Sequence, residues 1–300
     1  NVALGHQALD NADAENNNLA IGRDALGGAI NGGEYNVAIG NYSLDALTSG
    51  DGNVAVGYNA GSAVTTGGNN TMIGKRAGED LTSGNSNVMI GEDAGANQTD
   101  ASGNVIIGQG AGEAITTGGF NILMGVNAGN SYDAETHNLA IGYTALSGSV
   151  AGGEYNVAIG NYSLDALTSA DYVTAVGYGA GSAVTTGGYN TLIGYHAGLA
   201  MTNADGNIAI GHEALGTNTL ADRNVAIGYR SLATHTAASK GDYGNTAVGW
   251  SSGTSITSGG QNSMFGEGAG GSITTGAGNV CIGQGAANAG TSLTTGNNNI

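Results

Sequence analysis

The sequence predicts an all-β fold, a β-solenoid or β-roll of about 17 rungs, because one short motif recurs at a fixed spacing along the chain. The motif is Asn, three apolar residues and Gly, and it reads NVAIG at Asn36–Gly40, Asn156–Gly160 and Asn224–Gly228. Successive motifs mostly lie 17 residues apart. The 300 residues include 58 glycines and no proline, and glycines every few residues disfavour sustained helix. Together these features predict a stacked repeat array rather than globular domains.

The repeat unit, numbered from its Asn as rung position 1, predicts two short strands and two turns. Asn53–Asn69 shows the consensus as NVAVGYNAGSAVTTGGN. Positions 2 to 4 are apolar and β-rich, so they form a strand that the glycine of position 5 ends. The Thr-Thr-Gly at positions 13 to 15 indicates a second strand and a turn. Successive rungs then stack about 4.7–4.9 Å apart by strand pairing.

Both faces of the first strand are apolar, which predicts that this strand is buried on both sides. Neighbouring strand residues point to opposite faces, yet positions 3 and 4 are both apolar in every unit up to Gly283. One face packs inside the coil, and the other needs a surface on further copies of the chain. We place the position-3 residues at this oligomer interface, since alanine there permits close approach. The predicted interface comprises Ala38, Ala55, Met72, Met89, Ile106, Leu123, Leu192 and Met264.

The asparagine at position 1 predicts a stacked ladder, in which each side-chain amide bonds to the next rung. Ligand binding by these amides is the alternative interpretation. Val173 interrupts the row. The predicted structural ladder comprises Asn36, Asn53, Asn70, Asn87, Asn104 and Asn121.

Charge and hydropathy argue against several classes of partner. The net charge is −17, from 6 Lys plus Arg against 23 Asp plus Glu, and nucleic acids or anionic membranes attract clustered cations instead. No run of 18 apolar residues occurs, so we expect no membrane insertion. The single cysteine, Cys281, rules out an internal disulfide framework.

The chain is interpreted as one continuous array over residues 1–300 and as a segment of a longer fibre, because it starts and stops inside repeats. A larger duplication lies within the array: Asn18–Gly74 is echoed at Asn138–Gly194, an offset of 120 residues. The array therefore grew by copying blocks of rungs.

One rung is longer than its neighbours and predicts a protruding loop at residues 234–244. Loops on a rigid scaffold often carry recognition, so this segment is a candidate binding site. A plain solvated bulge is the alternative. The candidate binding residues are His235, Lys240, Asp242 and Tyr243.

No pattern of residues indicates catalysis, a cofactor or a metal, and we expect a protein that is not an enzyme. The five histidines fall at different rung positions and form no Ser-His-Asp, Cys-His or metal-ligand spacing. The glycine string at Gly108–Gly112 lacks the Lys-Ser/Thr of a phosphate loop. Structural Ca²⁺ held by acidic turns is the alternative to having no cofactor. Those acidic residues are Asp51, Asp100, Asp133, Asp171, Asp205 and Asp222.

The motif NVAIGxxA…TTGxx resembles the repeats of phage tail-fibre and tail-fibre-domain-containing surface proteins. It is also similar to the head repeats of trimeric autotransporter adhesins, whose units carry a comparable apolar-Ala-Ile-Gly core. The resemblance covers essentially residues 1–300. It implies a homotrimeric fibre used for attachment to a host or surface, although the 17-residue spacing differs from the usual spacing in adhesin heads.

These observations lead to one expected function and one alternative. The expected function is the structural shaft of an extracellular phage tail fibre or cell-surface adhesin, a homotrimer that mediates or displays attachment to a host glycan or receptor. The alternative is a glycan-binding solenoid module that acts through its side faces. Many of the tyrosines directly follow the repeat glycine, as Tyr58 and Tyr178 do. We expect their rings to stack from rung to rung, whereas on the alternative function they contact carbohydrate.

Overall fold

The fold is a parallel β-solenoid, as the sequence predicts. The structure, a computed structural model, describes residues 1–11, 16–148, 152–288 and 294–300. In these ranges the regular elements are all strands, and no helix occurs. Contacts between residues divide the chain into two compact units, Asn1–Gly152 and Gly153–Ile300.

In the first unit each rung contributes one three-residue strand at positions 2 to 4. Neighbouring strands pair in parallel, so that position 2 faces position 2 of the next rung, as in Val54 opposite Thr71. The strands are β1 (Val2–Leu4), β2 (Leu19–Ile21), β3 (Val37–Ile39), β4 (Val54–Val56), β5 (Thr71–Ile73), β6 (Val88–Ile90), β7 (Val105–Ile107), β8 (Ile122–Met124) and β9 (Leu139–Ile141), and each pairs with the next.

The second unit repeats this arrangement and adds a short pair of strands. Its main strands are β10 (Val157–Ile159), β11 (Thr174–Val176), β12 (Thr191–Ile193), β13 (Ile208–Ile210), β15 (Val225–Ile227), β17 (Thr246–Val248), β18 (Ser263–Phe265) and β19 (Val280–Ile282). The additional pair is β14 (Ala221–Asp222) with β16 (Gly241–Asp242), also parallel.

The glycine of position 5 lets each rung turn directly against the next. Gly57 has φ +144°, and a Cβ there would lie 2.3 Å from the carbonyl oxygen of Gly74. Real side-chain atoms do not approach backbone so closely, and this φ is open almost only to glycine. Other residues are therefore excluded from position 5 by both backbone conformation and space.

In the described ranges the second strand predicted at the Thr-Thr-Gly positions is not present, and only the short pair β14–β16 lies near them. At the Thr-Thr-Gly positions the carbonyl oxygen of Thr82 accepts hydrogen bonds from three successive N–H groups, those of Thr65, Thr66 and Gly67, at 2.9, 3.2 and 3.3 Å. A strand ladder instead spreads its bonds over alternate residues. Hydrogen bonds between rungs thus continue along this side, but as a series of turns.

The core of each rung is a narrow column filled by positions 3, 8, 9 and 12. In the fourth rung these are Ala55, Ala60, Gly61 and Val64, and the three apolar side chains are fully buried. A Cβ on Gly61 would lie 2.6 Å from Met72 Sδ in the following rung. Large side chains at position 3 therefore occupy the space above a glycine at position 9.

Candidate interaction surface

The exposed apolar surface of the solenoid is made by positions 2 and 4, which point outward while position 3 points inward. In most strands the burial pattern is half-buried, buried, half-buried. Ile73 and Ile193, both at position 4, each keep 37% of their surface exposed. No residue at position 2 or 4 of these strands is charged. We call these two positions the outer strand face.

The predicted oligomer interface at position 3 is wrong. Side chains that lie inside the coil of their own chain have no surface to offer another copy. The physical reason is the alternation of the strand, which puts position 3 on the opposite side from positions 2 and 4. The residues concerned are all fully buried: Ala38, Ala55, Met72, Met89, Ile106, Leu123, Leu192 and Met264.

Two rows of aromatic rings flank the outer strand face in the second unit. The first row occupies position 6, directly after the strand and its glycine, and successive ring centroids lie 5.6, 4.9, 5.2 and 4.1 Å apart: Tyr178, Tyr195, His212, Tyr229 and Trp250. The second row occupies the last position of each rung, one residue before position 1, with spacings of 5.2 and 5.3 Å: Tyr155, Tyr172 and Tyr189. Trp250 is 57% exposed, and exposed aromatic residues of this kind are enriched at protein interfaces.

Charged side chains lie outside this face, and every cation of the chain has an acidic partner. Each of the six Lys and Arg side chains lies within ion-pair distance of a carboxylate, for example Lys75 with Glu92 at 2.9 Å and Arg230 with Glu213 at 3.3 Å. The excess negative charge therefore stays uncompensated on the remaining surface. A second copy that approaches the outer strand face meets no charge at positions 2 and 4.

The asparagines of position 1 lie inside the coil as a hydrogen-bonded row, which Val173 interrupts in the second unit. Asn53 Oδ1 accepts from the backbone N–H of Asn70 at 3.0 Å and from its Nδ2 at 3.1 Å, and Asn53 Nδ2 donates to the carbonyl of Gly67 at 2.9 Å. Asn36, Asn53, Asn70, Asn87, Asn104 and Asn121 are all fully buried. Their amides are thus occupied by the chain itself.

The segment 234–244 packs partly inside the coil, and the expected binding site there is dispersed. His235 occupies core position 12 and is fully buried, so its prediction as an exposed binding residue is wrong. Lys240 Nζ pairs with Asp205 at 2.6 Å, and Asp242 pairs with Arg223. Tyr243 contacts the His235 ring edge-on at 5.1 Å.

Burial lowers the pKa of His235 to about 4, because no charged partner compensates for its loss of water. Its Nδ1 lacks a hydrogen-bond partner, and its Nε2 lies 3.4 Å from Asn245 Nδ2. His235 is therefore a neutral core residue near pH 7.

A shallow cleft of the first unit lies between the turns of two rungs, beside the outer strand face, since its Tyr58 occupies position 6. It is lined by Tyr42, Asp45, Tyr58, Asn59, Ser62 and Ala63, which we call the tyrosine cleft. The rings of Tyr42 and Tyr58 are perpendicular, with centroids 6.0 Å apart. Asp45 is half-buried, and its burial, with a smaller effect of Asp24, raises the pKa of its carboxyl. Sequence reasoning missed this cleft because its residues come from different rungs.

In the described ranges no three His, Cys, Asp or Glu side chains gather into a group suited to a metal ion. Within the same ranges no helix has the length and apolar character needed to cross a membrane. Comparison of the chain with protein-family models, with curated proteins and with solved structures finds no match.

Proposed function

We propose that the chain is a structural segment of an extracellular attachment fibre, as in a phage tail fibre or a cell-surface adhesin, and that it assembles as a homotrimer through the outer strand face. The observation that carries the proposal is an uncharged and largely apolar face that recurs on rung after rung within each unit. Single exposed apolar residues are ordinary, but a contiguous strip of them marks an interaction surface. The proposed role is mechanical rather than catalytic.

Another copy of the chain fits this face better than an unrelated partner. Rungs stack about 4.7–4.9 Å apart in any copy, so side chains of two copies keep the same spacing along the whole contact. In a threefold assembly each copy contacts two neighbours and needs two contact edges. The second unit offers such edges in the aromatic rows before and after each strand. The resemblance to trimeric fibre repeats favours the same number of copies.

The test is the mass of the chain in solution by light scattering, with charges placed on the face. We expect a wild-type mass near three times 29.2 kDa. Ile73→Glu with Ile193→Glu should give a folded monomer, because each carboxylate would have to be buried in the interface. The matched control is Thr66→Glu with Thr186→Glu, which adds the same charge at exposed residues of position 14 and should leave the trimer intact. A monomeric wild-type chain at high concentration, or a mass that the face substitutions do not change, would contradict the proposal.

Glycan binding through the side faces is the second candidate function. The aromatic rows are poor platforms for sugar rings, because neighbouring rings cover each other: the planes of Tyr178 and Tyr195 differ by only 12°. In the tyrosine cleft the two rings are perpendicular and make an edge-to-face contact. The ring whose edge meets the other ring therefore keeps both of its own faces free of that partner. This cleft is the observation that favours the second candidate.

A further inference from the structure

The tyrosine cleft joins aromatic rings to an unpartnered carboxylate, an amide and a hydroxyl. We infer that it binds a hexose unit of a neutral glycan, with the Asp45 carboxylate accepting hydrogen bonds from two adjacent sugar hydroxyls and the Tyr58 ring packing against the C–H groups of the sugar. This inference deepens the second candidate function and does not depend on trimer formation. Tyr58 is 49% exposed, so its ring is accessible to a ligand.

Two polar groups of the cleft, the Asp45 carboxylate and the Asn59 amide oxygen, are available as acceptors. No hydrogen bond or ion pair joins the Asp45 carboxylate to another described residue. Asn59 Nδ2 donates to Glu79 Oε1 at 2.8 Å, which orients the amide and leaves its carbonyl oxygen for a ligand. Carboxylates and amide oxygens accept hydrogen bonds, and sugar hydroxyls supply donors for them. A ligand that donates two hydrogen bonds to Asp45 also restores part of the solvation that burial removes.

The charges around the cleft favour a neutral ligand over an ionic one. Asp24 pairs with Arg23 at 3.5 Å, and Glu79 lies 3.9 Å from Arg76. Asp45 is therefore the cleft carboxylate left without a cation, and its charge opposes an anionic sugar. The Arg23 guanidinium lies 4.6 Å from the centre of the Tyr42 ring and occupies the position that a cationic ligand would take there.

The second unit carries a related arrangement at the offset of 120 residues. Tyr162, Asp165, Tyr178 and Ser182 occupy the same rung positions as Tyr42, Asp45, Tyr58 and Ser62. The Tyr162 and Tyr178 rings are again steeply inclined, at 71° with centroids 5.5 Å apart. Gly179 replaces the amide of Asn59, and Tyr195 covers one face of the Tyr178 ring, so this second site should bind the same sugar more weakly.

The test is binding of the whole chain to an array of immobilised oligosaccharides that end in neutral hexoses, with sialylated and quaternary-ammonium surfaces alongside. We expect retention on a subset of the neutral glycans and none on the ionic surfaces. Asp45→Ala should weaken affinity for the retained glycan by roughly tenfold to a hundredfold, measured by calorimetry with that glycan in solution. Asp165→Ala should weaken it less.

The matched control is Glu113→Ala, which removes a carboxylate from the same rung position in a rung without tyrosines and should change nothing. Circular dichroism of each variant checks that the fold persists. The inference is overturned if no neutral glycan is retained, if the ionic surfaces retain the chain instead, or if Asp45→Ala and Glu113→Ala bind alike. Repeating the calorimetry on the Ile73→Glu, Ile193→Glu chain separates glycan binding from trimer formation. The affinity of the tyrosine cleft for the glycan should be unchanged in that variant.

Discussion

Two rungs of the first unit and their counterparts 120 residues later fill the same core volume in opposite ways. In the first of these rungs the large side chain stands at position 3 and the small residue at position 9, as Met89 and Gly95. In the second unit the residues 120 positions later are Ala209 and Leu215, so the large side chain has moved to position 9. The next rung shows the same exchange, from Ile106 with Gly112 to Ala226 with Leu232. In these rungs positions 3 and 9 therefore share one volume, and the large side chain can stand at either position.

The exchange also depends on the backbone conformation of position 9. Position 9 has a left-handed conformation in both units, with φ +56° at Gly95 and φ +50° at Leu215. A residue with a Cβ adopts this conformation at a cost of about 1–2 kcal/mol. Burial of the leucine offsets that cost, which is why leucine occurs at position 9 where position 3 is alanine.

The largest expected effect concerns a feature that both units share, the glycine of position 5. Gly57→Ala and Gly177→Ala should each destabilise the chain by more than about 4 kcal/mol, because the added Cβ meets backbone of the next rung at 2.3 or 2.4 Å. Denaturant unfolding at one fixed chain concentration measures the effect. Gly241→Ala is the control, since a Cβ there meets nothing within 4 Å. If the two units differ strongly in this test, their rungs do not share one turn geometry.

The volume exchange itself predicts a coupled pair of substitutions in the first unit. Met89→Ala should cost about 2–4 kcal/mol by leaving a cavity, and Gly95→Leu about 1–3 kcal/mol by overpacking. The double variant reproduces the arrangement of the second unit and should be more stable than either single variant. Unfolding of all four chains forms a double-mutant cycle. Additive costs would show that positions 3 and 9 do not share one volume.

A third difference between the units is sensitive to pH. Ile115 at position 12 has His235 as its counterpart 120 residues later. The pKa of this histidine is about 6.5 in the unfolded chain and about 4 in the folded chain. Protonation therefore favours the unfolded chain, and stability should fall as the pH drops from about 6.5 to about 4. The loss amounts to about 3 kcal/mol in total. His235→Ile should abolish it, as seen in the difference between the unfolding free energies of the two chains at each pH. Parallel pH profiles would refute the assignment of a buried neutral histidine.

The smallest expected effect concerns the asparagine row. Asn53→Val should cost about 1–3 kcal/mol, because the buried N–H of Asn70 and the carbonyl of Gly67 lose a partner. In the second unit the counterpart is already Val173, and there Asn190 Nδ2 donates to the buried carbonyl of Gly187 at 3.0 Å.

Restoring the row with Val173→Asn should therefore stabilise the chain by at most about 1 kcal/mol. Thermal unfolding of both variants beside the wild type measures the two effects. If the two variants shift the unfolding temperature by equal and opposite amounts, Asn190 does not compensate for Val173.

The repeat period determined how much of the structure could be predicted. Spacing of the Asn and Gly positions was enough for the solenoid, because each rung must place its strand beside the last. Which strand residues point inward could not be predicted in the same way. Positions 3 and 4 are both apolar, so the strand shows no alternation of apolar and polar residues. The useful signal was the pairing of sizes, such as Ala38 with Leu44 and Met72 with Gly78, which shows that positions 3 and 9 share a core.

Features that join different rungs were beyond the sequence pattern. The length of the segment 234–244 indicated an insertion but not its path, and His235 was informative only as the occupant of position 12. The tyrosine cleft depends on how Tyr42 of one rung lies against Tyr58 of the next. Such a contact follows from the turn geometry, which alternates right- and left-handed residues and is not evident from composition.

The most direct test of the inward and outward assignment is thiol labelling of neighbouring strand residues. Cys281→Ala supplies a cysteine-free background with the commonest residue of position 3. In that background Ala55→Cys should resist maleimide until the chain unfolds. Val56→Cys should resist maleimide while the copies are assembled. It should react once Ile73→Glu with Ile193→Glu has dissociated the copies. Rapid labelling of Ala55→Cys in the folded chain, or of Val56→Cys in the assembled chain, would contradict the account.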